Sequence, residues 1–126
     1  MKLWNLTLHE QGPAEIAIAT AAGFDFDPTP RGVVVQPGQA GLNDAVTAIA
    51  RVLGEAVAAK AAVLVGGHTL SLAGALVALR EEELPSLVSF DTERQRDEHD
   101  RFVFRPVGVT MWPPQRTAGD RTKARL

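Results

Sequence analysis

Apolar and polar side chains alternate along Leu3-Trp4-Asn5-Leu6-Thr7-Leu8, the pattern of a strand with one buried face. The polar stretch His9-Glu10-Gln11-Gly12 reads as a turn. Pro13 suits the first position of a short helix carried by Ile16, Ala17, Ala19 and Ala21, with Gly23 as its stop. Asp25 to Pro30 reads as loop. Gly32-Val33-Val34-Val35-Gln36 has no polar face and predicts a short interior strand, followed by a turn over Pro37 to Gly41. A longer helix is expected next, capped by Asn43 or Asp44, with Ala45, Ile49, Val52, Leu53, Ala56 and Val57 at helical spacing. Ala61 to Val65 predicts a buried strand. His68 to Arg80 predicts a helix whose inward stripe is Leu72, Ala73, Leu76 and Leu79.

Beyond Pro85, Leu87 to Phe90 reads as a strand. Asp91 to Arg96 and Arg101 to Arg105 flank a charged turn at Asp97-Glu98-His99-Asp100, which predicts a β-hairpin that Val107-Gly108-Val109 extends. Strand–helix alternation closed by a hairpin implies an α/β fold: a mostly parallel sheet, helices on both faces and an antiparallel C-terminal edge. The expected division is one domain over residues 1–112 and a disordered basic tail over 113–126. That tail carries Arg116, Arg121, Lys123 and Arg125 against Asp120 alone, in a chain with 13 Lys and Arg against 15 Asp and Glu. The body is therefore net acidic, a poor sleeve for duplex DNA or RNA, whose binding draws on phosphate neutralisation. A small anion in a local pocket is compatible with that balance.

The chain has no cysteine, which removes disulfides, thiolate nucleophiles and zinc ribbons from consideration. Neither a signal-peptide core nor a membrane-spanning stretch is apparent, so a cytoplasmic protein is expected. Ligands of open α/β sheets bind outside the carboxyl ends of the strands. His9 and the turn Gly66-Gly67-His68-Thr69 fall at two such ends, and they converge if their strands are neighbours. Glycines let a backbone approach a ligand closely, and a following helix N-terminus favours an anion, so Gly66, Gly67 and Thr69 are candidate phosphate contacts. The bland alternative is a tight turn with His68 near a helix cap. His9 reads either as a polar strand end or as a proton carrier near neutral pH. Asn5 and Thr7 share its strand face, and Gln11 could donate from the turn. Arg94 and Arg96 are weaker phosphate candidates, since cross-strand salt bridging explains them equally well. Three unclustered histidines suggest no metal site.

The Asn5-Leu6-Thr7-Leu8-His9 opening, the Val63-Leu64-Val65-Gly66-Gly67-His68 turn and the hairpin Phe90-Asp91-Thr92-Glu93-Arg94 to Arg101-Phe102-Val103-Phe104-Arg105 together resemble small ring nucleases of type III CRISPR defence and their viral counterparts. The resemblance covers residues 1–112. It implies a minimal Rossmann-like fold related to CRISPR-associated sensor domains, and a homodimer that binds cyclic tetra-adenylate. It further implies metal-independent cleavage to linear oligoadenylates with 2′,3′-cyclic phosphate ends, with no cofactor, which switches off the antiviral signal. Carried onto this chain, it makes His9 and His68 the catalytic candidates. Asn5, Thr7, Gln11, Gly66, Gly67, Thr69, Arg94 and Arg96 become ligand contacts, with Trp4 and Trp112 the obvious aromatics to stack on adenine. A cyclic-oligoadenylate sensor that does not cut, an assembly domain without ligand and a metal-dependent nuclease are the competing readings.

Overall fold

The computed structural model describes residues 1–66 and 69–113. Its order is β1 (Lys2–Asn5), α1 (Pro13–Ala21), β2 (Asp25–Asp27), α2 (Gln39–Ala59), β3 (Ala62–Leu64), α3 (Thr69–Arg80), β4 (Leu87–Arg96) and β5 (Phe102–Trp112). One sheet of spatial order β2-β1-β3-β4-β5 results, parallel except for the antiparallel β4–β5 pair. The α/β class, the mostly parallel sheet and the C-terminal hairpin thus stand as expected. No helix among the described residues is long and apolar enough to cross a membrane.

Strand alternation sorts the core onto two faces. Leu3, Ala62, Leu64 and Val88 face α1, where they meet Ala19 and Phe24. Leu6, Val63 and Leu87 face the other way, against Ile49, Leu53 and Ala56 of α2 and Ala75 and Ala78 of α3. Strands buried on both faces read as apolar runs, which is why Ala61 to Val65 carries no polar position.

Several local expectations are corrected. The Val33-Val34-Val35 run is not a strand, and Asp25–Asp27, expected as loop, pairs with Lys2–Trp4 instead. With that edge of β1 occupied, the later segment pairs only past the strand end. There Arg31 N–H donates to the Asn5 carbonyl at 2.8 Å and Gly32 N–H to the Thr7 carbonyl at 3.1 Å. No ladder remains for the valines, and Val34 is exposed. β1 is shorter than expected, ending at Asn5, although Leu6 N–H still reaches the Leu64 carbonyl at 2.9 Å.

α2 starts at Gln39 rather than beside Asn43, because Gly38 at φ 93° supplies the entry in a backbone region that suits glycine. Its buried positions Ala45, Ile49, Leu53 and Ala56 match the expected stripe. The stripe of α3 does not. Ser71, Ala75 and Ala78 are buried, whereas Leu72 and Leu76 are exposed. α3 lies so close to α2 that a β-carbon on Gly74 would sit 3.1 Å from Leu53 Cδ1 and 3.3 Å from Ile49 Cγ2. Small residues therefore take the innermost positions, Leu70 and Leu79 pack partly buried at the margin of the core, and Leu72 and Leu76 turn outward.

Candidate functional site

The chain runs from β1 outward to β2 on one side, then crosses to β3 on the other side of β1. α1 covers one face and α2 the opposite one. In open α/β sheets, reversal of strand order with a change of face marks the ligand-binding place outside the carboxyl ends of the two strands involved, here β1 and β3. His9 follows β1 and Gly66 follows β3, so the adjacency needed for their convergence is present. Contact is close: a β-carbon on Gly66 would lie 3.8 Å from Thr7 Cγ2. Gly67 and His68 lie outside the described residues, as does the expected tail beyond Pro113. Thr69 is exposed at the start of α3.

The loop after β1 is framed by its own side chains. Asn5 is fully buried. Its Nδ2 donates to the carbonyls of His9 and Pro28, both at 2.8 Å. Its Oδ1 accepts from Thr7 N–H at 3.0 Å and from the Thr7 hydroxyl at 2.6 Å. All four hydrogen-bonding capacities of this amide are therefore used, three within the loop and one on Pro28 after β2. The Thr7 hydroxyl accepts in turn from Gln11 Nε2 at 3.2 Å and from His9 N–H at 3.3 Å. Asn5, Thr7 and Gln11 do converge as the alternation suggested, but they bond one another and hold the backbone of His9. The imidazole itself is left exposed. In this geometry Asn5 and Thr7 hold the loop backbone, and the side chains of Leu8, His9 and Glu10 are left exposed on it.

The segment after β2 closes against the same loop. A β-carbon on Gly32 would lie 2.7 Å from the carbonyl carbon and oxygen of Thr7, so only glycine fits there. Arg31, which composition and spacing did not single out, lays its guanidinium 3.9 Å from the centroid of the Trp4 ring. It also pairs with Asp27 at 3.1 Å. A hydrogen bond from Thr29 N–H, then the Arg31 contact, holds the Asp27 carboxyl below its ordinary value. Trp4 is thereby engaged on both sides, by Arg31 and by the α2–α3 core.

Arg94 and Arg96 are not brought to this crevice. Leu64 pairs with Val88, and β4 continues to Arg96 along the direction of the parallel strands. Counting from that pair at about 3.3 Å per residue, Arg94 lies roughly 13 Å farther out than Gly66. The expected salt bridges exist within the turn rather than across the arms, Arg96 with Asp100 at 2.7 Å and Arg101 with Asp97 at 3.4 Å. Trp112 pairs with Leu87, at the amino end of β4, and so sits at the opposite end of the sheet from His9. Among the described residues the exposed aromatics on the carboxyl side are Phe102 and Phe104 of the hairpin, which strand pairing puts on one face with Arg94 and Arg96. The sequence matches no family model, no curated protein and no solved structure.

Proposed function

We propose that the chain is a metal-independent ring nuclease that binds cyclic tetra-adenylate outside the carboxyl ends of β1 and β3 and opens it. The observation that carries this reading is the reversal of strand order between β1 and β3. Because of it, the loop that carries the exposed His9 leaves β1 beside the end of β3, where a β-carbon on Gly66 would lie 3.8 Å from Thr7 Cγ2. Gly66 adds support. Among the described residues its β-carbon would meet only ordinary contact, 3.8 Å from Thr7 Cγ2, and its φ lies outside the left-handed region. Glycine there carries an entropic cost with no return from those neighbours, which a ligand approaching the backbone would explain.

The chemistry follows from the groups available. His9 takes the proton of a ribose 2′-hydroxyl, whose oxygen attacks the neighbouring phosphorus. The bond to the 5′-oxygen breaks, the phosphate closes into a 2′,3′-cyclic ester, and the leaving oxygen receives a proton from His68 or from water. Backbone N–H groups opening α3, with the Thr69 hydroxyl, favour the charge that builds on phosphate. No co-reactant is consumed and the product is a linear oligoadenylate. The enzyme is proposed to act as a homodimer. The exposed Val77 of α3 and Val46 of α2, which line one apolar groove, are the proposed contact for the second copy.

Incubation with cyclic tetra-adenylate, followed by separation of products, tests the reading. Linear products with cyclic phosphate ends, formed equally in excess EDTA, are expected. Binding without products would leave a sensor, and a requirement for added magnesium or manganese would refute the 2′-hydroxyl mechanism.

A further inference from the structure

The outer half of the β4–β5 hairpin sorts its side chains onto two chemically different faces. Register partners on antiparallel strands project to the same side. Arg94 is paired with Phe104, Arg96 with Phe102 and Thr92 with Pro106. One face therefore carries two guanidiniums, two phenyl rings, a hydroxyl and a proline, with no carboxylate among its paired positions. The other face takes Glu93 opposite Arg105 and Gln95 opposite Val103. On the first face Arg94 lies 3.5 Å and Arg96 4.6 Å from the centroid of Phe102. Phe104, 67% exposed, sits beside Arg94 with its ring open to solvent. Among the described residues the hairpin's Arg–carboxylate pairs involve Arg96 and Arg101, and Arg94 takes part in none.

We infer that this face is a stacking and phosphate-binding platform for an oligonucleotide ligand, with Phe104 as the base-stacking ring and Arg94 as its phosphate partner. Open aromatic rings flanked by guanidiniums are what single-stranded nucleic acid uses: the ring takes a base face and the cation takes the backbone. The core does not need these side chains. Val88 and Phe90 are the last positions of β4 on that parity to pack against the α1 side, and beyond them the arm leaves the sheet. The inference rests on the oligoadenylate reading of the β1–β3 crevice and narrows it. Platform and crevice lie at the same end of the sheet but roughly 13 Å apart along the strand direction. A ligand of several nucleotides can engage both, and a mononucleotide cannot.

Two probes separate this inference from the reading on which it rests. Fluorescence anisotropy with a labelled linear hexa-adenylate measures the platform, and cleavage of cyclic tetra-adenylate measures the crevice. Phe104→Ala and Arg94→Ala are compared with Gln95→Ala on the opposite face, each checked for native circular dichroism. The expected result is about a 10-fold loss of hexa-adenylate affinity for Phe104→Ala. Arg94→Ala should lose affinity with a shallower salt dependence, and Gln95→Ala should stay within twofold of the native protein. Equal affinity of Phe104→Ala and native protein, or no native binding of the linear probe, overturns the platform even if the ring is cut normally. Phe104-dependent binding of the linear probe with an uncut, unbound ring upholds the platform and refutes the ring-nuclease reading.

Discussion

The loop after β1 and the outer hairpin both stand at the carboxyl end of the sheet, yet they treat polar side chains in opposite ways. In the loop, Asn5, Thr7 and Gln11 are matched to one another and to backbone carbonyls, and Asn5 is completely buried. On the hairpin, Arg94 is outside the salt bridges and Phe104 is open. Buried polar groups are tolerated when bonded, and their network then fixes one geometry. The loop thus holds its backbone still, while the hairpin leaves side chains open, as the proposed platform requires. A residue type that looks ligand-binding in sequence can belong to either class, and the difference lies in whether its bonding capacity is already filled.

Breaking the loop should give the largest effect. Asn5→Ala leaves the Thr7 N–H and the His9 and Pro28 carbonyls without their amide partner, and should cost about 3 kcal/mol of stability. Gly32→Ala forces a methyl against the Thr7 backbone and should cost about 2 kcal/mol. Urea denaturation of both variants reads these values; native-like midpoints would show that the loop is not held as described. Gly66→Ala sharpens the contrast, because among the described residues its methyl meets only ordinary contact. That variant should be as stable as the native protein, or more stable by about 0.5 kcal/mol. Its cleavage or binding of cyclic tetra-adenylate should nonetheless fall by about 10-fold. A fully active, fully stable variant would remove Gly66 from the ligand site.

The smallest effect concerns acid. The folded Asp27 carboxyl is held below its ordinary value of 3.8, first by Thr29 N–H and then by Arg31. A depressed carboxylate contributes stability above its unfolded value and loses it as pH falls through the folded one. The clamp on the segment after β2 should therefore persist at neutral pH and weaken only below about pH 3.8. Carbon-detected NMR titration of Asp27 should show the low midpoint, moved partway up in Arg31→Gln. An unchanged midpoint in that variant would assign the shift to the Thr29 bond alone.

Much of the fold was legible because burial writes itself as periodicity. The alternation in β1, the apolar run of β3, the inward stripe of α2 and the hairpin around Asp97 to Asp100 all follow from which face is wet. The misread elements depend on what the rest of the chain had already occupied. Val33 to Val35 has strand chemistry but no free edge, and Leu72 and Leu76 of α3 have core chemistry but stay exposed because small residues take the inward positions. For the site, the strand ends carrying His9 and Gly66 could be anticipated, whereas their adjacency required the strand order. Arg31 was missed because its partners, Trp4 and Asp27, come from different strands. Phe102 and Phe104 were missed because only pairing across the hairpin puts them on one face with Arg94 and Arg96.

The most direct test of the account is single-turnover cleavage of cyclic tetra-adenylate by the native protein, His9→Ala and His68→Ala, with affinity measured in parallel. His9 is exposed on a fixed loop, so its removal should slow cleavage by about 10²-fold or more while binding persists. His68→Ala, next to the opening of α3, should weaken binding at least as clearly as it slows turnover. Native-rate cleavage by a folded His9→Ala protein would contradict the central claim that the β1 loop exists to present this imidazole to the ring.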